Sequence, residues 1–215
     1  GMGCYRHKGA SVKTRGENMY QLLVSGGVVG LFLQVVPIAC LVGVIYAIYR
    51  CIRIKKQKIS VKWSTEILRW LFVCYLTGLI NLTLVPRNFW SNIWALIYIG
   101  YSGSQIELFN GSFNFTPVIF KIIAGELSFG SWVKTMFTGN LLMFVPMGVF
   151  LPLISAKINA KSILKIAIMA PVVIEIIQPI MGRSFDVDDL ILNFIGINAG
   201  YLIAVGIKNL SCKRR

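Results

Sequence analysis

Seven polar side chains that can do chemistry fall within nineteen positions: Glu175, Gln178, Arg183, Asp186, Asp188, Asp189 and Asn193. They lie in and between two apolar segments, and Glu175 to Asp189 hold four of the chain's eight acidic residues. Ionisable groups placed at membrane depth are costly, so such a concentration points to function. Glu175 reads either as a proton-titrating or ligand-binding carboxylate, or as a structural acid holding two helices together. Arg183 suits bidentate recognition of a carboxylate or phosphate, and equally well a plain pair with one of the neighbouring aspartates. Asp186 and Asp188 form an Asp-x-Asp pair, a spacing that can hold Mg²⁺ against a phosphate. The competing reading of Asp186, Asp188 and Asp189 is capping, because carboxylates before a helix accept its free N–H groups and suit its positive dipole end.

The elements that must position these groups follow from composition. The chain has 215 residues, 56% hydrophobic and only 14% charged, with a mean hydropathy of +0.70. A soluble domain carries about 25% charge, and a helix needs roughly 20 apolar residues to cross hydrocarbon. The expected fold is an all-α integral membrane protein with about five transmembrane helices. The apolar runs are Tyr20–Tyr49, Ile67–Val85, Met136–Ile154, Ile163–Met181 and Leu190–Ile207. Pro37 inside the first leaves the Leu33 carbonyl without its helical donor, which permits a kink or tilt. Arg87–Thr135, between the second and third spans, is amphiphilic. Its Ile93–Tyr101 stretch is too short to span and reads as interfacial or re-entrant.

Charge sets the orientation. Lys and Arg favour the cytoplasmic side of a membrane protein. Fourteen of the 22 basic residues fall on one side: Arg50, Arg53, Lys55, Lys56, Lys58, Lys62, Arg69, Lys157, Lys161, Lys165, Lys208, Lys213, Arg214 and Arg215. The C-terminus is expected in the cytoplasm and the 182–189 turn outside it, with Arg87, Lys121, Lys134, Glu107 and Glu126. Arg6, Lys8, Lys13 and Arg15 dissent, because five spans place that basic N-terminus outside; the first span either opposes the charge rule or does not fully cross. The net charge of +14 is therefore topological, aided by anionic lipid, and nucleic-acid binding is not expected.

Other signals are weak. Gly1 ahead of Met2 reads as a residue added for expression, and the first apolar run is too long for a signal peptide. Ile38-Ala39-Cys40 only faintly resembles a lipid-modification site, and Met2-Gly3-Cys4 lacks the Ser or Thr of an acylation signal at His7. Cys4, Cys40, Cys51, Cys74 and Cys212 are scattered without metal or disulfide spacing. His7 is the single histidine, which leaves carboxylates and Arg183 for any acid–base work. Broken-helix transporter repeats are not evident.

Depth brings the polar residues together. The expected topology puts Asn140 in the outer half of the third span, Glu175 and Gln178 in the outer third of the fourth, and Asp189 and Asn193 at the start of the fifth. Glu175 and Gln178 are three apart and Asp189 and Asn193 four apart, so each pair shares a helix face. Gln178 and Asn140 also suit interhelical hydrogen bonding. The candidate ligand-binding set is Asn140, Glu175, Gln178, Arg183, Asp186, Asp188, Asp189 and Asn193. Glu175, Asp186 and Asp189 are the candidate catalytic groups, and Asp186 and Asp188 the candidates for a divalent cation; no other cofactor is evident. Gly196 and Gly200, like Gly26 and Gly30, form small-xxx-small surfaces for close helix packing.

Four motifs in order carry a family resemblance: Asn140-Leu-Leu-Met-Phe-Val-Pro146-Met-Gly148, Ile174-Glu175-Ile-Ile-Gln178, Gly182-Arg183-Ser-Phe-Asp186-Val-Asp188-Asp189, and Asn193-Phe-Ile-Gly196-Ile-Asn-Ala-Gly200. Together with Asn114-Phe115-Thr116-Pro117 upstream, they resemble the VanZ-like family over roughly residues 67–207. Met147 departs from the usual aromatic, and Phe194 from a frequent Thr. The resemblance implies a multi-pass protein of the bacterial cytoplasmic membrane, with a four-span core to which the first span is an addition. The division it implies is 1–66 (tail, first span and basic loop), 67–207 (VanZ-like membrane domain) and 208–215 (basic tail). The family's namesake is linked to resistance to the glycopeptide teicoplanin, so the implied function is envelope-associated, through an outer-leaflet pocket for a lipid or cell-wall precursor. The expected partners are the lipid bilayer and a precursor lipid or glycopeptide. Two alternatives stay open: an integral-membrane enzyme acting on a lipid-linked phosphate or sugar through Glu175 and the aspartates, and a small transporter using Glu175 as its proton site.

Overall fold

The computed structural model of the chain describes residues 27–58, 60–86, 88–100, 105–106, 108–125 and 130–213. The N-terminal signals and basic residues up to Arg15, together with Gly26, Arg87, Glu107, Glu126, Arg214 and Arg215, lie outside the described residues. In chain order the elements are α1 (Gly27–Gln57), α2 (Trp63–Leu84), α3 (Phe89–Ile99), β1 (Phe113–Asn114), α4 (Val118–Ile123), α5 (Ser131–Ile154), α6 (Ala160–Ile177), a 3-10 turn (Gln178–Met181), β2 (Phe185–Asp186) and α7 (Val187–Lys213).

Among the described residues, five helices are long and apolar enough to cross a membrane: Leu33–Gln57, Trp63–Leu84, Val133–Ile154, Ala160–Met181 and Val187–Leu210. The protein is an all-α integral membrane protein. Each expected span corresponds to one of these helices, although the helices run past the apolar runs that announced them. Backbone hydrogen bonding continues where hydropathy falls: α5 starts at Ser131 and α7 carries on through Lys208. Consequently the expected divisions at 66/67 and 207/208 both fall inside helices, α2 and α7. Exposed Leu41, Val44, Ile45, Ile48 and Ile52 on α1, or Leu202, Ile203 and Leu210 on α7, are what lipid-facing surfaces look like.

Local rules set the helix ends. α2 stops at Val85, extended at ψ 136°, because the following Pro86 disfavours the helical region for the residue before it. α3, around the Ile93–Tyr101 stretch expected to be interfacial or re-entrant, closes at Gly100 with φ 76°, a left-handed cap that suits glycine. α6 opens on Asn159, whose side chain accepts the Ser162 N–H at 2.9 Å. Its far end tightens into the 3-10 turn and is released by Gly182 at φ 68°.

The bundle core is small. Leu79, Phe144, Met147, Ile163, Ala167 and Ile197 meet where α2, α5, α6 and α7 converge. The closest approach is between α5 and α7, which run parallel. Gly196 faces the Leu141 carbonyl, Gly200 the Val145 carbonyl and Gly148 the Ile197 carbonyl, all so near that a Cβ would collide with backbone. α2 is tied to α5 by Tyr75, whose hydroxyl donates to the Met143 carbonyl at 2.9 Å. α1 is tied to α2 by Trp70, whose Nε1 donates to the Gly43 carbonyl at 2.9 Å.

A second tie joins α1 and α2 at the lysine-rich end. Glu66, mostly buried, receives Arg50 in a bidentate pair at 2.8 and 2.7 Å and Arg69 at 2.6 Å. Fork-to-fork geometry makes this a strong form of the Arg–carboxylate contact. Removing Glu66 leaves the part-buried Arg50 without its carboxylate, so Glu66→Ala is expected to cost about 1–3 kcal/mol. Melting of purified Arg50→Ala, Glu66→Ala and the double variant should show strong coupling; simple additivity would rule the clamp out.

Candidate polar site and cleft

The 182–189 turn is not a free loop. Arg183 N–H donates to the Gln178 carbonyl at 2.9 Å, which folds the chain back at Gly182. The next residues pair with the connection between the second and third spans. Phe113 and Asn114 of β1 lie parallel to Phe185 and Asp186 of β2, Phe185 N–H donates to the Ser112 carbonyl at 2.8 Å, and the Ser112 hydroxyl reaches that of Ser184 at 2.8 Å. Phe113, Phe115 and Phe185 cluster at this seam, with ring centroids 5.4 to 6.1 Å apart. The Asn114–Pro117 element therefore docks directly on the polar turn.

Each acidic residue has a definite place. Asp186 caps α7, its Oδ1 accepting the Asp188 N–H at 3.0 Å, while its Oδ2 accepts the Asn114 amide at 3.1 Å. Asp188 caps a different helix: its Oδ2 accepts the Val118 N–H at 2.8 Å, at the start of α4. Asp189 accepts a hydrogen bond from the Asn140 amide of α5. Glu175 is fully buried and accepts the Asp186 N–H at 2.9 Å. In the orientation that satisfies both ends of its amide, Gln178 donates to Glu175 Oε2 at 3.1 Å and to the Ser184 carbonyl at 2.9 Å. Asn193, one turn beyond Asp189, is 3% exposed, and its Oδ1 has no hydrogen-bond partner among the described residues. Arg183 donates through Nη1 to the Val85 carbonyl at 3.4 Å, bridging the turn to the end of α2.

This arrangement bears on the cation reading. Asp186 and Asp188 direct their oxygens to an amide side chain and to two separate backbone N–H groups rather than to a common point. Among the described residues no three His, Cys, Asp or Glu side chains are grouped as metal ligands. Capping accounts for Asp186 and Asp188, although the helix Asp188 caps is α4 rather than the fifth span.

Beside the cluster lies a cleft of about 660 Å³ between α1, α2 and α5. Its walls are apolar and include Val35, Ala39, Leu79, Leu82, Leu142 and Pro146; Asn140 and Arg183 line it too. Asn140 is thus shared. It faces the cleft and holds Asp189 of the cluster at the same time. The remaining six candidates, Glu175, Gln178, Asp186, Asp188, Asp189 and Asn193, do not line this cleft.

A model of the VanZ/LLP1 family matches residues 72–209. The chain belongs to the VanZ/LLP1 family. The matched residues run from within α2 to within α7 and include the whole polar cluster, whereas α1 lies outside them. No curated protein and no solved structure matches the chain.

Several parts of this candidate site were not selected from the sequence as site residues. Asn114 carried only the Asn-Phe-Thr-Pro resemblance, yet it is a direct partner of Asp186. Ser112, Ser184 and the Val118 N–H left no signal, because a two-residue strand pair has no periodicity to detect. Val35, Ala39 and Leu82 were legible only as lipid-facing span residues.

Proposed function

We propose that the protein is a bacterial cell-envelope protein whose outward-facing cleft binds a lipid or a lipid-linked cell-wall precursor, and that this occupancy lowers sensitivity to glycopeptides of the teicoplanin type. The position of Asn140 supports this most directly, since one side chain touches both the apolar cleft and the acidic cluster. An apolar cavity with a few convergent polar groups is the usual form of a ligand site, and its volume lies within the roughly 300–1,000 Å³ range of such pockets. The charge distribution supports the orientation, with the lysine-rich end in the cytoplasm and the 182–189 turn outside. On this reading Glu175, Gln178, Asp186 and Asp188 hold the turn in place, while Asn140 and Arg183 meet the ligand.

The test is the teicoplanin sensitivity of a susceptible bacterium expressing the protein. Asn140→Leu and Asp189→Asn should return sensitivity to that of cells without the protein, at unchanged membrane levels. Undiminished protection by both variants would refute the site. Lipid-linked precursors from the same cells should keep their mass; a mass change lost in Glu175→Ala would favour an enzyme instead.

A further inference from the structure

At the lysine-rich end, α1 continues past its apolar run. It carries Arg50, Arg53, Lys55 and Lys56 on regular helix as far as Gln57, and α2 begins at Trp63, directly after Lys62. Glu66 is the one acidic residue between Arg50 and Arg69, and both arginines hold it. Arg53, Lys55, Lys56, Lys58 and Lys62 are all exposed. Arg53 donates to the Tyr49 hydroxyl at 3.1 Å and to the Gln57 amide oxygen at 3.4 Å, both neutral groups. Among the described residues none of these five cations is paired with a carboxylate.

Beside these charges a groove of about 160 Å³ runs between the two helices. Ile54 and Trp63 line it next to the connection, Ala47 and Ile67 further in, and Tyr46 and Trp70 at its deep end. The stretch from Tyr46 to Ile54 spans about 12 Å of helix. Trp63 and Ile67 are 69% and 56% exposed, so the groove opens sideways on the face that meets lipid.

We propose that the α1–α2 hairpin binds an anionic phospholipid at the lysine-rich end, its head group among the lysines of the connection and one acyl chain in the groove. This site lies at the opposite end of α2 from the polar turn, which Arg183 ties to Val85, and it stands independently of the cleft. Lysine and arginine held near a bilayer surface attract anionic lipid, and their long stems can lie along apolar surface while the charged ends reach the phosphate level. Tryptophan and tyrosine settle at the same level, where Trp63 and Tyr49 flank the cations. A soluble polyanion would meet the same charges yet leave Trp63, Ile67 and the groove uncovered. A lipid covers both. The one carboxylate on the groove is Glu66, and it is already neutralised by its arginines.

The experiment is native mass spectrometry of the full-length protein in detergent, titrated with phosphatidylglycerol and with phosphatidylethanolamine of the same acyl chains. The wild type should hold phosphatidylglycerol about tenfold more tightly, the effect of one to two cations at an anionic head group. Equal binding of the two lipids would overturn the proposal. Lys55→Gln, Lys56→Gln and Lys62→Gln together should erase the preference. Lys157→Gln, Lys161→Gln and Lys165→Gln remove the same charge from the other connection at this end and should leave the preference intact. Equal loss in the two triple variants would reduce the effect to overall charge and refute a local site. Cys51 is exposed and lines the groove, so phosphatidylglycerol should slow its alkylation by N-ethylmaleimide severalfold in the wild type. An unchanged rate would remove the acyl chain from the groove. A hexaglutamate peptide at the concentration of the lipid should not displace it; full displacement would make an acidic polypeptide the partner instead.

Discussion

Replacing Gly148 by Leu is expected to remove folded protein from the membrane, and Gly148→Ala to lower its melting temperature sharply. A Cβ at this position collides with the Ile197 carbonyl and would sit only 2.8 Å from the Tyr201 nitrogen. Both are backbone atoms of a helix, so no rotamer change relieves the clash. Only separation of α5 from α7 does. Moving them apart also loosens Gly196 against the Leu141 carbonyl and Gly200 against the Val145 carbonyl. Overpacking a core commonly costs about 1–3 kcal/mol, and a clash with rigid backbone belongs at the top of that range or beyond it. Gly206→Leu serves as the matched control, since nothing crowds that position. Size-exclusion profiles and thermal melts of detergent extracts provide the measurement. A Gly148→Leu protein that elutes and melts like Gly206→Leu would show that the α5–α7 contact is looser than described.

Glu175 carries the second large effect. Its carboxylate is fully buried and receives both the Asp186 N–H at 2.9 Å and the Gln178 amide at 3.1 Å. Glu175→Ala strands both donors, at about 1–3 kcal/mol each, and leaves a cavity besides. Glu175→Gln keeps an oxygen for the Asp186 N–H but turns an amide nitrogen toward Gln178, so it should lose less. Hydrogen exchange at residues 184–189, read beside the melting temperature, should rank the proteins as wild type, then Gln, then Ala. Indistinguishable exchange in all three would exclude Glu175 as the anchor of the turn. Of the two roles its sequence left open, these contacts describe the structural one. A carboxylate among apolar residues announces that something polar meets it, but not whether the partner is a ligand or the chain itself.

The same limit explains what else was and was not legible. The spans were legible because hydrocarbon thickness demands about twenty apolar residues in each, and only their ends moved. The gathering of Asn140, Glu175, Asp189 and Asn193 at one end followed from helix periodicity and alternating direction. The partner of each side chain did not follow. Asp188 was readable as a cap, yet nothing in the fifth span says that the capped helix begins at Val118. Glu66 is the one acidic residue between Arg50 and Arg69, a contrast that announces a clamp only once α1 and α2 are known to run side by side. The cleft was invisible because it is made by absence: Gly78 and Gly139 leave room, and apolar walls resemble any lipid-facing surface.

The contacts between the two distant segments also set a schedule. Val118 waits for Asp188, seventy residues downstream, and Asn114 waits for Asp186, seventy-two downstream. At synthesis rates of about 5–20 residues per second, that interval lasts roughly 4–14 s. Until residues 184–188 are made, the stretch from Ser112 to Ile123 lacks its seam and its cap. Closure of the polar turn is therefore among the last events in the making of the molecule. A ribosome stalled before Asp186 would leave a chain with four of its five spans made and an unfinished surface for quality control to find.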